Sequence, residues 1–368
     1  MMRLQCHGVM GAIGNTPLIR IESLSQETGC EIYGKAEFLN PGGSVKDRIA
    51  LQIVKEAIDE GRLVPGALIT EGTAGSTGVS LAMVAAAYGC KCFISMPDDA
   101  AVEKVQLLQA LGAEVQRVRP VSISHPDHHV NVARRRAAEE HLNGRKALFA
   151  DQFENPANYR AHMVTGEEIW SQTQGRVEAF VSGSGTGGTL AGVSKCLKAH
   201  NPTVKVYLVD PPGSGLYNKV TRGVMYTSEE AEGKRLRNPF DTITEGIGIN
   251  RITHNFEHAY IDGAFKGSDR EAVEMAQYLL RNDGLFVGSS AAMNCVGAVK
   301  VARALKAIHP EAQSAAFKAS DDKFRPVIVT ILCDGGSRHL SKFHNMDYLA
   351  TCGLVPIEKG KDLGFIGA

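Results

Sequence analysis

Along the chain, short β-branched runs alternate with longer segments whose apolar residues recur every three or four positions. The runs at 67–70, 91–96, 114–118, 179–182, 204–209 and 326–332 end in glycine or polar residues and predict strands. Between them, 47–60 places Ile49, Ile53, Val54, Ala57 and Ile58 on one helical stripe, with Gly61 as a stop. Segments 101–110 and 269–280 read the same way, and 79–88 predicts a further helix. Strands alternating with helices predict an α/β fold in which parallel strands are joined by crossover helices. No repeat of 20–50 residues is visible. Two weakly patterned, charge-rich stretches, 221–240 and 311–325, read as surface excursions rather than linkers between independent domains.

Composition removes several classes of function. The 368 residues are 43% hydrophobic and 22% charged, which excludes disorder as a description of the whole chain. Lys+Arg and Asp+Glu are both 40, so no net field concentrates polyanions, and nucleic acid is not an expected partner. No run reaches the roughly 20 apolar residues that span a bilayer, and residues 1–14 lack the layout of a secretory signal. The expectation is a soluble cytoplasmic protein without membrane partners. Eight scattered cysteines, the closest pair being Cys90 and Cys92, fit neither a redox motif nor a zinc motif and read as reduced thiols. His125, Asp127, His128 and His129 sit in a Pro-containing polar stretch that reads as a solvated loop, so no metal site is expected.

Three segments carry candidate chemistry. In Asn40-Pro41-Gly42-Gly43-Ser44-Val45-Lys46-Asp47-Arg48 a glycine-rich turn delivers one lysine to a helix start. The positive end of the helix dipole and desolvation both favour a neutral amine there, which suits Schiff-base chemistry. An exposed first-turn lysine is the plain alternative. The stretch Ser182-Gly183-Ser184-Gly185-Thr186-Gly187-Gly188-Thr189 follows a predicted strand and opens a helix, so that N–H groups free of Cβ obstruction can cradle a phosphate. A third stretch, Glu71-Gly72-Thr73-Ala74-Gly75-Ser76-Thr77-Gly78, offers a second anion site suited to a substrate carboxylate. Two anion sites and one poised lysine suggest a phosphorylated carbonyl cofactor meeting an amino acid.

With these motifs in their order, from Ile13-Gly14-Asn15-Thr16-Pro17-Leu18 to about Leu340, the chain resembles the fold-type II pyridoxal-phosphate enzymes of the cysteine synthase and cystathionine β-synthase branch. The resemblance implies two three-layer α/β/α domains with pyridoxal 5'-phosphate in the cleft between them. The smaller domain would span 46–155, and the larger would combine 1–45 with 156–368. It implies that Lys46 forms the internal aldimine and moves the α-proton. Gly185, Thr186, Gly187, Gly188 and Thr189 would hold the phosphate, and Ser289 would face the pyridine nitrogen, with Ser290 as the neighbour confusable with it. Thr73, Ala74, Gly75, Ser76 and Thr77 would grip the substrate carboxylate, assisted by Gln152, with Ser76 also near the cofactor and Gly246 lining the substrate side.

Two departures stand out. The family's usual T-S-G-N-T-G reads Thr73-Ala74-Gly75-Ser76-Thr77-Gly78 here, and Glu245 stands where cysteine synthases often carry glutamine. The implied reaction is β-replacement: an activated serine such as O-acetylserine loses its substituent, leaving an aminoacrylate that sulfide or a thiol converts to cysteine or a related amino acid. The alternative is desulfhydrase-type β-elimination from cysteine to pyruvate, ammonia and sulfide. A serine/threonine dehydratase or a catalytically silent scaffold ranks below both. A homodimer is the family expectation.

Overall fold

The computed structural model describes residues 6–100, 102–227, 242–308, 325–357 and 360–367. Ten strands are present among them: β1 (Leu18–Arg20), β2 (Glu31–Ala36), β3 (Leu68–Gly72), β4 (Lys91–Pro97), β5 (Glu114–Val118), β6 (Ala147–Phe149), β7 (Ala179–Ser182), β8 (Lys205–Asp210), β9 (Gly263–Lys266) and β10 (Val327–Leu332). They form two sheets, a six-stranded one in the order β1-β2-β10-β7-β8-β9 and a four-stranded one in the order β5-β4-β3-β6. Every pairing is parallel except that of β1 with β2.

Parallel sheets need both faces covered, and the side chains sort accordingly. In the larger sheet Ile328 and Leu332 of β10 join Val181 and Val209 beneath the helices Asp269–Asp283 and Ser289–Ile308. Their alternating neighbours Val327, Val329 and Ile331 join Phe180, Val206 and Leu208 against the helices Ala157–Gln172 and Gly188–His200. The smaller sheet repeats the pattern: Ile69, Ile94 and Met96 face the helices Lys46–Asp59 and Ser76–Ala87, while Leu68 and Phe93 face the helix His129–Leu142.

The predicted elements shift in informative ways. The helix expected over 269–280 runs to Asp283, because Ser268 and Glu271 form a capping box at its start and Gly284 accepts the left-handed conformation that ends it. The helix expected over 79–88 begins at Ser76, with Gly75 as its cap, so Ser76, Thr77 and Gly78 are its first turn rather than loop. Strands β1, β2, β6 and β9 were not expected. Two of them, β1 and β6, are only three residues long, too short for a period-two pattern. Of the expected surface excursions, 221–222 close the helix Leu216–Arg222, whereas 228–240 and 311–324 lie outside the described residues.

Two of the chemistry-bearing segments leave the carboxyl ends of parallel strands, residues 73–77 after β3 and 183–189 after β7, and residues 333–338 leave the end of β10 in the same way. Crevices at strand carboxyl ends are where open α/β sheets bind ligands.

Candidate active site

The lysine segment is fixed by its own backbone. Gly43, at a left-handed φ of 78°, donates its N–H to the Asn40 carbonyl at 2.7 Å. Val45 donates to the Cys333 carbonyl at 2.8 Å, and Ser44 pairs with Asp334, which seats the segment on the end of β10. Lys46 is therefore the first residue of the helix Lys46–Asp59. Its neighbours on that helix are locked from below. The buried Asp47 carboxylate accepts from the Gly42 N–H and the Ser80 hydroxyl. Arg48 Nε donates to Glu37 Oε2 at 2.7 Å and its Nη2 to Glu168 Oε2 at 2.7 Å, with Lys35 Nζ 2.6 Å from the same Glu168 oxygen. Burial works to raise the Glu168 carboxyl, but its bonds to Arg48 and the charges of Arg48 and Lys35 outweigh it and hold the group at about 2.

The Lys46 amine makes no hydrogen bond or ion pair with any described residue. Desolvation pushes its pKa down, partly opposed by Cys333 and Asp334 nearby. A partnerless amine of lowered pKa at a helix N-terminus is available as a nucleophile and as a proton carrier.

The glycine loop is shaped by absent side chains. A Cβ on Gly185 would lie 2.4 Å from the Gly246 carbonyl, and one on Gly188 would lie 1.9 Å from Asn158 Oδ1. Gly187 combines a φ of 87° with the Phe256 backbone 2.6 Å from any Cβ. The N–H groups of Gly185, Thr186, Gly187, Gly188 and Thr189 have no acceptor among the described residues. Asn158 Nδ2 donates to Thr186 Oγ1 at 2.9 Å, and His162 Nε2 lies 3.1 Å from Thr189 Oγ1. The buried Ser184 Oγ and Asn158 Oδ1 are without partners. This set of open donors fits a phosphate group, which would accept from several N–H groups at once. Gly246 and Gly248 are brought onto the loop by the bond from Gly248 N–H to the Ser184 carbonyl at 2.9 Å.

The second anion loop has a different construction. Thr73 Oγ1 accepts from Gly75 N–H at 3.0 Å, while the N–H groups of Ala74, Ser76 and Thr77 have no acceptor among the described residues. Thr77 Oγ1 donates to Gln152 Oε1 at 2.6 Å. Gln152 in turn leans on Glu71, whose Oε2 accepts its N–H at 3.2 Å. Burial pushes the Glu71 carboxyl up to about 8. Ser76 Oγ accepts from Arg338 Nη1 at 3.0 Å, and Arg338 Nη2 donates to the Gly42 carbonyl.

Ser289 and Ser290 differ in surroundings. Ser289 Oγ accepts from Glu245 N–H at 3.0 Å, which leaves its own proton for a further acceptor, whereas Ser290 lies against the Cys333 thiol. The Glu245 carboxylate pairs with Lys104 of the helix Val102–Ala110 and lies 3.6 Å from His339 Nδ1. His339 Nε2 reaches Asp334 Oδ2 at 2.9 Å.

The fold thus brings Lys46 near enough to His162, the partner of Thr189 in the glycine loop, for its charge to act on that imidazole, joins Ser289 to the Glu245-Gly246 segment, and sets the 73–77 loop beside the lysine segment through Arg338. Sequence reasoning did not single out Arg338, Asn158, His162, Asp334 or Lys104. Asp334 and Arg338 flank the glycine pair Gly335-Gly336, a signal that could have pointed to them, whereas Asn158, His162 and Lys104 lie on helices and acquire their places only through contacts made across the fold. His128, weighed as a metal donor, instead caps the helix His129–Leu142 by accepting from Val130 N–H.

Comparison with known proteins agrees with this geometry. The family model described as pyridoxal-phosphate dependent enzyme matches residues 9–316. Cysteine synthase 2 of Schizosaccharomyces pombe is 52% identical over 359 residues, covering 95% of this chain and 86% of that protein. The cysteine synthase of Dictyostelium discoideum is 45% identical, covering 93% of this chain and 85% of that protein. Among solved structures, the O-acetylserine dependent cystathionine beta-synthase from Helicobacter pylori superposes with a TM-score of 0.73 at 30% identity, covering 93% of this chain and 99% of that one. A hydrogen sulfide-producing enzyme from Fusobacterium nucleatum superposes with a TM-score of 0.72 at 29% identity, covering 91% and 99%. An uncommitted lysine amine and a glycine-rich anion cradle, on a chain matched over most of its length, lead to one conclusion: this chain belongs to the pyridoxal-phosphate dependent enzymes, with pyridoxal 5'-phosphate as its cofactor.

Proposed function

We propose that the chain catalyses β-replacement of the cysteine synthase type, taking an activated serine such as O-acetylserine and adding sulfide or a thiol. The observation that carries this reading is the unpartnered Lys46 amine, of lowered pKa, with free N–H donors on the glycine loop and on the 73–77 loop. When bound, pyridoxal phosphate supplies an aldehyde that condenses with amines and a ring that withdraws electrons from the substrate's Cα. Lys46 Nζ anchors the cofactor and then takes the α-proton. Gly185, Thr186, Gly187, Gly188 and Thr189 bind the phosphate through their N–H groups. Ser289, its oxygen already accepting from Glu245 N–H, would offer its proton to the pyridine nitrogen as a neutral donor. Thr73, Ala74, Gly75, Ser76 and Thr77 bind the α-carboxylate, and Gln152 holds Thr77 in place. Gly246 keeps the substrate side of the cofactor open. Alignment of the Cα–H bond with Lys46 supplies proximity and orientation.

The units we assign are a smaller one over 46–155, which contains the four-stranded sheet, and a larger one formed by 1–45 and 156–368, which contains the six-stranded sheet. A homodimer in the cytoplasm completes the reading. All eight cysteines are free thiols, as a reducing compartment requires, and no described helix is long and apolar enough to cross a membrane. Sedimentation and cell fractionation test these two assignments. The competing reading is β-elimination from cysteine to pyruvate, ammonia and sulfide, to which the similarity with a sulfide-producing enzyme lends weight. Incubating the holoenzyme with O-acetylserine and sulfide, and separately with cysteine alone, decides between them. Cysteine formation at much the higher efficiency supports the synthase, and pyruvate from cysteine at the higher efficiency replaces it with the desulfhydrase.

A further inference from the structure

The 73–77 loop ends against a cation from another part of the fold. Arg338 follows β10, 262 residues further along the chain than Ser76. Its Nη1 donates to Ser76 Oγ at 3.0 Å and its Nη2 donates to the Gly42 carbonyl, while its Nε lies 3.2 Å from where a Cβ on Gly43 would stand. The guanidinium therefore sits where the lysine segment meets the anion loop. A guanidinium carries five N–H donors. Two are used by Ser76 and Gly42, and no acidic side chain among the described residues forms an ion pair with it. Beside it the N–H groups of Ala74, Ser76 and Thr77 also lack acceptors. Ser76 Oγ, while accepting from Arg338, keeps its own proton for a ligand. The Asp47 carboxylate, on the far side of Gly42, feels the Arg338 charge without pairing with it directly. The place is thus supplied with open donors and a guanidinium that keeps N–H groups to spare, a combination suited to a planar anion that accepts two parallel N–H bonds.

We propose that Arg338 is a substrate-binding residue that reads the α-carboxylate of the amino-acid substrate, with Ser76 and Gly42 as the two anchors that aim its guanidinium. The proposal rests on the reading of the 73–77 loop as the carboxylate site. It assigns carboxylate selectivity to a residue outside that loop and to charge as well as to backbone N–H groups.

The test measures binding without turnover. L-alanine and L-alaninamide differ at the carboxylate and carry no leaving group. Each is titrated into the holoenzyme, and its dissociation constant is read from the change in the cofactor's visible absorbance. The wild type is expected to favour L-alanine by more than about tenfold, the scale of a charge-assisted bidentate contact. Arg338→Gln is expected to weaken L-alanine by about tenfold while leaving L-alaninamide within about twofold, and Arg338→Lys to fall between. Equal weakening of both ligands would show a merely structural role and overturn the proposal, as would no change in either. Should Arg338→Gln fail to hold cofactor, Arg338→Lys, which keeps the charge but loses the planar fork, carries the test. A narrowed preference for L-alanine supports the proposal, and an unchanged one sinks it. Absence of cysteine formation in the product assay would remove the synthase reading without touching this result.

Discussion

The two anion loops invite comparison because they start alike. Each follows a parallel strand, opens a helix and exposes backbone N–H groups without acceptors. The glycine loop after β7 is shaped first by what its residues lack: Gly185, Gly187 and Gly188 each stand where a Cβ would meet another atom at 2.6 Å or less, and Asn158 and His162 then secure its threonines. The loop after β3 is formed by what distant residues supply. Thr77 is held by Gln152, 75 residues away, and Ser76 by Arg338, 262 residues away. A cradle formed by steric exclusion tolerates little variation and keeps one shape. A loop held by hydrogen-bonded side chains can exchange its partners, which suits a part that must receive and release substrate.

The largest effect should come from the group both loops serve. Lys46→Ala is expected to abolish borohydride-dependent labelling of the peptide and to lower β-replacement by more than about a thousandfold, measured by trapping and by product assay. Next comes the excluded volume of the first loop. Gly187→Ala meets the Phe256 backbone and an unfavourable φ, so cofactor affinity should fall by at least about tenfold in equilibrium dialysis, and the melting temperature should fall with it. An unchanged affinity would break the contrast drawn between the loops.

A third prediction concerns the support of the second loop and its pH dependence. Burial raises the Glu71 carboxyl to about 8 in the folded chain, against about 4.3 when unfolded. The folded state therefore keeps a proton that the unfolded state releases. The associated stability is full below the unfolded pKa and is lost as pH climbs through about 8. Glu71→Gln should remove this slope, so that urea midpoints of variant and wild type diverge in favour of the variant between pH 5 and pH 9. Parallel curves would refute the assignment. The smallest effect is expected for Thr77→Val, which deletes the bond to Gln152. KM for the amino acid should rise by about threefold to tenfold with kcat nearly unchanged, in steady-state kinetics.

How much of this was legible in the sequence follows the same contrast. The central strands and the glycine loop were readable because their signals are local: β-branched runs, and glycines at positions where nothing larger fits. Lys46 was readable from the turn that precedes it. The first turn Ser76-Thr77-Gly78 reads as loop because Ser, Thr and Gly are weak helix formers, and only the cap at Gly75 shows that the helix has begun. Asn158, His162 and Arg338 were hidden for a different reason. Asn158 and His162 lie in the helix Ala157–Gln172 and reach Thr186 and Thr189 only after two helices have packed. Arg338 joins Ser76 only after the turn beyond β10 meets the helix that opens after β3. No spacing rule anticipates such encounters. The Glu71 carboxyl was invisible for a similar reason, since its altered acidity comes from burial rather than from its neighbours in sequence.

The cluster of Arg48 with Glu37, Glu168 and Lys35 has a mechanical consequence. Arg48 and Lys46 ride on the same first turn, so whatever fixes the azimuth of one fixes the other. On an α-helix about 5–6 Å in radius with its side chains, a twist of about ten degrees sweeps a side-chain tip through roughly 1 Å. Displacement on that scale can cost about a hundredfold in rate. The charged cluster thus acts as a torsional brake on the helix, and its slackening would blunt catalysis while every group that touches the reactants stayed in place.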